Sequence, residues 1–277
     1  IIDELGKNRN TIFLLSNYAH FKAFYQHDLG KAAEILDEAM LVPHLYKSDL
    51  AACKLEYADI MLLSNKVWTA LLYYSQVEKD FKENPLGHEA KLRRAKISYY
   101  QGDFDWAQAQ LDVLKASTSK LIANDAMKLS LLITDNLGLD TSVVPMQIFA
   151  RADLLFYQNK FENCALTLDS ILSIYTGHTL TDEILLRKSE IYLKTNQLQK
   201  AVEMLERIIN EFSYDILADD ALFTLADLYL KKLKDKEKAK SLYEKILIQH
   251  NGSIYTAEAR KRFRKLRGDQ LEEKQTL

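Results

Sequence analysis

Ser189-Glu190-Ile191-Tyr192-Leu193-Lys194-Thr195-Asn196-Gln197-Leu198-Gln199-Lys200-Ala201 carries the pattern that decides the fold. A small residue opens it and a helical stretch follows. Asn196-Gln197 then make a short polar turn, and a second small residue, Ala201, starts another apolar run. Leu205 and Ile208 continue that run at i+4 and i+7, which is one face of an α-helix. Asn tolerates the left-handed conformation that ends a helix. The stretch therefore predicts two helices joined by a tight corner.

The same pattern recurs outward from this copy, at Ala152 to Cys164, Ala95 to Ala107 and Ala58 to Ala70, with fainter copies at His20 to Ala32 and Ala226 to Ala239. From His20 onward the opening residues are spaced 38, 37, 57, 37 and 37 apart. Within each copy the second small residue follows 12 positions on, and 13 on in the last. Each second helix repeats the apolar face, at Leu36 and Ala39, Tyr74 and Val77, Leu111 and Leu114, Leu168 and Ile171, and Tyr243 and Ile246. Ser64-Asn65, Gly102-Asp103 and Asn159-Lys160 supply further corners. Pro43, Pro85, Gly87, Gly138, Gly177 and Gly252 fall between helical stretches, and Pro145 suits a first helical turn. The one long spacing holds about 20 extra residues, as the difference between 57 and 37 shows. Segment 120–137 reads there as an inserted amphipathic helix, with Leu121, Ala126, Leu129, Leu132, Ile133 and Leu137 apolar. It either divides the array, with Gly138 to Val144 as the joint, or leaves it continuous.

Several copies in one register resemble the tetratricopeptide repeat (TPR) family, across most of residues 11–267. The resemblance rests on the small residues at the helix crossing (Ala32, Ala70, Ala107, Cys164, Ala201, Ala239) and on large residues late in the first helix, such as Tyr192 and Tyr229. The spacing of 37 exceeds the family's usual 34, and its terminal Pro is mostly replaced. The resemblance implies an all-α, right-handed α-solenoid of helix hairpins with one inserted helix and a C-terminal capping helix. The expected divisions are 1–119 (repeats), 120–144 (inserted helix and joint), 145–267 (repeats with the capping helix) and 268–277 (a polar tail). The closing segment, Tyr243 to Leu266, resembles bacterial cell-envelope TPR proteins. That points to the periplasm or cell envelope, with the cytoplasm as the alternative.

Composition narrows the function classes. The 277 residues are 48% hydrophobic, with only 8 Gly and 3 Pro, which supports a large core and argues against a turn-rich β-fold. With 37 Lys and Arg against 39 Asp and Glu, the net charge is −2, so no general field draws nucleic acid. Cys53 and Cys164 stand far apart and read as packing residues. No run of about 18 apolar residues predicts a transmembrane helix. The chain opens Ile1-Ile2-Asp3 without Met, a basic region or an apolar region, so the expectation is a processed or excised product carrying no signal peptide, any anchor lying upstream.

Catalytic signatures are missing: there is no HExxH, GxSxG or SxxK, and no Gly-rich phosphate loop. The expectation is a non-enzymatic protein without a cofactor or metal. His27, His44, His88, His178 and His250 read as surface residues, and His20 as half-buried at a small-residue position. The basic stretch Arg260 to Arg267 has two readings. It either caps the last repeat, with Tyr255, Ala259, Phe263 and Leu266 facing inward near Asp219, Asp220 and Asp227, or it contacts nucleic acid or anionic lipid.

In the TPR family the first helix of each hairpin lines the concave face. By that resemblance Tyr99, Tyr100, Asp153, Phe156, Tyr157, Glu190 and Asp227 are the candidate partner-binding residues, and Asp59 stands at the same turn of its own copy. Aromatic residues among carboxylates suit a peptide groove, with a protein or peptide segment as partner, basic or neutral in charge. The other reading packs half of these side chains between helices. Nucleic acid, through the basic stretch, is the alternative partner.

Overall fold

The computed structural model describes residues 6–117, 119–137 and 142–269. Most of the expected joint (138–141) and of the polar tail (270–277) lies outside them. The described residues form fourteen α-helices and no strand. They run α1 (Ile12–Phe24), α2 (Leu29–Met40), α3 (Lys47–Leu63), α4 (Val67–Asp80), α5 (Pro85–Tyr100), α6 (Phe104–Leu114) and α7 (Lys120–Leu137), then α8 (Val144–Tyr157), α9 (Phe161–Ile174), α10 (Thr181–Lys194), α11 (Leu198–Glu211), α12 (Ala218–Leu228), α13 (Lys236–Gln249) and α14 (Thr256–Arg267). Neighbours in sequence pack on each other, and the class is an α-solenoid of helix hairpins. Two compact units divide it, Ile1–Thr167 and Leu168–Leu277.

The small residues are where helices touch most closely. Ala58, Ala95, Ala152, Ser189 and Ala226 of the first helices are fully buried, as are Ala32, Ala70, Ala107, Cys164, Ala201 and Ala239 of the second. A side chain of one carbon or slightly more lets two backbones approach, and the larger apolar residues close the space around them. The expected second-helix faces, from Leu36 and Ala39 to Tyr243 and Ile246, are all buried. Both cysteines are buried too. Burial pushes the Cys53 thiol up to about 11, and Cys164 Sγ donates to the Ala152 carbonyl at 3.1 Å, so both act as packing residues.

Each hairpin turns its corner through one left-handed residue: His27, Asn65, Gly102, Asn159, Asn196 and Lys234. In the four inner corners a backbone N–H reaches five residues back, as from Gln197 to the Tyr192 carbonyl at 2.8 Å. The first and last corners hold one residue more. Asp28 N–H reaches six back to Lys22, and Asp235 six back to Tyr229, the latter closing a π-helical turn at Tyr229–Leu233. That extra residue explains the spacing of 13 in the last copy. It also corrects the first copy: Ala19, fully buried, holds the small-residue position. His20 is exposed, with Nδ1 2.8 Å from Glu56 Oε1.

In the first unit, α1 packs on α3, α3 on α5, and α5 on α8, so first helices stack on first helices. The inserted helix α7 lies against α5 and α6, and α5 still reaches α8 past it. The buried side of α7 is Ile122, Ala126, Ser130, Ile133 and Asn136; Leu121, expected inside, is exposed. Ser130 and Asn136 replace the apolar residues expected there. Ser130 Oγ accepts from Gln108 of α6, and Asn136 donates to the Leu132 carbonyl at 3.0 Å.

In the second unit α14 is the cap. It packs on α13 with Ala259 fully buried and Phe263 and Leu266 against the core, while Tyr255 stacks on Phe223 at 4.4 Å. Asp220 accepts from the Tyr255 hydroxyl. Arg260, Lys261, Arg264 and Lys265 face water. Deleting 254–277 would uncover the apolar side of α13, and an uncapped repeat end is insoluble. The truncated chain is expected to aggregate on purification, as read by light scattering; a monodisperse chain with unchanged thermal unfolding would refute the cap.

Candidate protein-interaction site

The first unit brings four of its five candidate residues, Tyr99, Tyr100, Asp153 and Tyr157, to the α5–α8 contact. Tyr99 and Asp153 are 1% and 8% exposed, and the Tyr99 hydroxyl donates to Asp153 Oδ2 at 2.9 Å. This pair joins two first helices from inside, where a partner segment does not reach. Tyr100 and Tyr157 are half-buried, with ring centroids 6.4 Å apart. Phe156, also half-buried, sets its ring edge-on to Phe161 at 5.7 Å. The Gln158 side chain donates to the Leu62 carbonyl at 3.0 Å, which ties the end of α8 to the end of α3.

The carboxylates prove to be nodes. Asp59 Oδ1 accepts from the Tyr74 hydroxyl at 2.5 Å, and Oδ2 lies 2.9 Å from Arg93 on α5. The Tyr157 hydroxyl also acts on the Asp59 carboxyl and favours its charged form. The second unit repeats the arrangement: Asp227 Oδ1 accepts from Tyr243 at 2.6 Å and pairs with Arg262 of the cap, while Oδ2 pairs with Lys231. Glu190 pairs with Arg187 one turn earlier on α10. Burial raises the Asp59 carboxyl above the usual range, and the Arg93 charge and both phenols pull it back. Burial likewise raises Glu56, which adjoins Asp59, with His20 and Arg93 opposing. Burial holds the phenols of Tyr74 and Tyr157 protonated at any physiological pH, with the Asp59 charge adding to the effect.

The acid line expected from the sequence is therefore matched locally: Asp59 and Asp227 by an arginine two helices on, Glu190 by Arg187 on its own helix, and Asp153 by the Tyr99 hydroxyl. Arg93 and Arg262 are the residues that sequence reasoning passed over. A signal existed: they stand 34 and 35 positions after Asp59 and Asp227, nearly one repeat on. Arg262, counted there within a solvated basic run, also lies 4.9 Å from the Phe223 ring.

A cleft of about 470 Å³ opens at the corner ends of the first unit, lined by Ala23, His27, Leu29, Leu63, Gln158, Asn159 and Phe161. Phe21 and Tyr25, 45% and 71% exposed, stand on the same stretch of chain as Ala23. Among the described residues, no cluster of three or more His, Cys, Asp or Glu is placed to hold a metal. No helix among them is long and apolar enough to cross a membrane.

Residues 141–246 match a family described as the ARM repeat of tetratricopeptide repeat protein 21. That stretch is thus similar to a TPR-like helical repeat family, in agreement with the hairpins, corners and small-residue crossings above. No curated protein matches the chain. Helical repeats of this kind serve in general as protein-interaction scaffolds and are typically non-catalytic.

Proposed function

We propose that the chain is a non-catalytic interaction scaffold, and that a partner segment binds along the first helices of the first unit over Tyr100, Phe156 and Tyr157. The observation that carries this is the pair of half-buried rings, Tyr100 and Tyr157, held at 6.4 Å by consecutive first helices. Their inner faces are fixed by packing, so the outer faces offer contact area at little further entropic cost. Asp59, Asp227 and Glu190 already have arginine partners, which removes the electrostatic preference for Lys- or Arg-bearing segments. The expected partner is an apolar, near-neutral segment.

The test takes a partner recovered by affinity capture and compares Tyr100→Ala with Tyr157→Phe and Tyr157→Ala. Alanine at either position should weaken binding about tenfold, close to 1.4 kcal/mol. Tyr157→Phe should bind almost as the parent does, because the ring is kept and only the hydroxyl near Asp59 is lost. Full affinity in both alanine variants, with folding retained, would move the site elsewhere. The exposed Arg260, Lys261, Arg264 and Lys265 are what a second reading rests on: contact with nucleic acid or anionic lipid, recognised by steep salt dependence.

A further inference from the structure

A second cavity in the first unit shares no lining residue with the aromatic site. It measures about 320 Å³ and lies between the exit of α4, the start of α5 and Val113 of α6. The two helices close tightly here: a Cβ on Gly87 would stand 1.9 Å from the Phe81 carbonyl oxygen, so only glycine fits. Lys79, Lys82, Lys91 and Arg94 line the cavity, against Glu78 and Glu83. That leaves an excess of two positive charges in a chain whose net charge is −2.

The pairing inside it is incomplete. Glu78 is shared, with Oε2 on Arg94 and Oε1 3.7 Å from Lys91 Nζ. Lys91 and Arg94 side chains are each only 27% exposed, so water screens them partly. Arg94 Nε is buried without a hydrogen-bond acceptor. A buried donor left unmade is costly, and an acceptor brought within its reach recovers that cost. Among the described residues neither Lys79 nor Lys82 is paired with a carboxylate.

We propose that this cavity binds a phosphoryl group, either free phosphate or a phosphorylated side chain. A phosphoryl dianion carries close to −2 at neutral pH and several acceptor oxygens, which matches both the charge excess and the unmet donor. A carboxylate carries half that charge and leaves half the excess unmatched. The site is independent of the aromatic groove, so Tyr100→Ala should leave phosphate binding unchanged.

The experiment titrates the full chain with inorganic phosphate at constant ionic strength and follows the backbone amides by NMR. Saturable shifts are expected at Gly87, His88, Lys91 and Arg94. Lys91→Gln and the double variant Lys79→Gln/Lys82→Gln should each weaken binding about tenfold, the scale of one lost charged hydrogen bond. The double variant changes only exposed side chains, so it is expected to keep its fold and tests the cavity even if Lys91→Gln perturbs packing. A second arm uses a phosphoserine peptide: tighter binding than free phosphate assigns the source to a modified side chain, and weaker or equal binding assigns it to the free ion. Absence of saturable shifts at these amides, acetate binding as tightly as phosphate, or parental affinity in the folded double variant would each overturn the proposal.

Discussion

Ala201→Arg is expected to unfold the core of the second unit, with a loss of about 4 kcal/mol or more in a urea titration. Ala201 is fully buried at the crossing of α10 and α11, beside Leu185, Leu205 and Ile208. An arginine there forces the helices apart, which alone costs about 1–3 kcal/mol. It also carries a charge into a fully buried apolar crossing, which adds a larger desolvation cost. Glu203→Arg, two residues on and exposed, is the control and should stay within about 0.5 kcal/mol of the parent. Equal midpoints for the two variants would show that the repeat register is misassigned.

Asp59→Ala should cost about 3 kcal/mol, the scale for removing one partner of a buried ion pair. The loss strands Arg93 and leaves the Tyr74 hydroxyl without its acceptor, and it removes the carboxylate near the Tyr157 phenol. Because three hairpins meet at this carboxylate, its removal should loosen α3, α5 and α8 together. Hydrogen exchange should rise in all three, and a rise confined to α3 would count against a shared node. The same group sets a pH slope. Burial raises the folded-state value of Asp59 above that of the unfolded chain, about 4 for a free carboxyl. Between those two values the folded state holds the proton more tightly, so stability falls as pH rises and levels off above the folded value. Asp59→Asn should flatten that fall.

The backbone plan was legible because its causes are local. A small residue at the crossing, an Asn or Gly at the corner and a 3.6-residue apolar period each leave a mark in sequence. Asn65, Asn159, Asn196 and Gly102 mark left-handed corners by their chemistry alone, and all four have positive φ. His27 and Lys234, which fill the same role in the two longer corners, carry no such mark. That is why the repeat spacing points to His20 where Ala19 fills the position. The candidate site was less legible because burial depends on the neighbouring hairpin. Tyr99 and Tyr100 are adjacent and alike in sequence, yet only Tyr99 turns inward to meet Asp153. The Asp59–Arg93 and Asp227–Arg262 pairs depend on stacking one hairpin on the next, which no single copy encodes.

The two longer corners have a consequence for how such an array varies over time. A residue added inside a helix would rotate every later side chain by about 100° and turn the buried face to water. At the Tyr229–Leu233 turn the added residue is taken up as a single wide turn, and α13 begins with Ala239 still at its crossing. The corner works as an expansion joint: length changes there stay local, and the hairpins on either side keep their register. Insertions and deletions among relatives of this chain should therefore gather at hairpin corners and between hairpins, leaving the helix interiors constant in length.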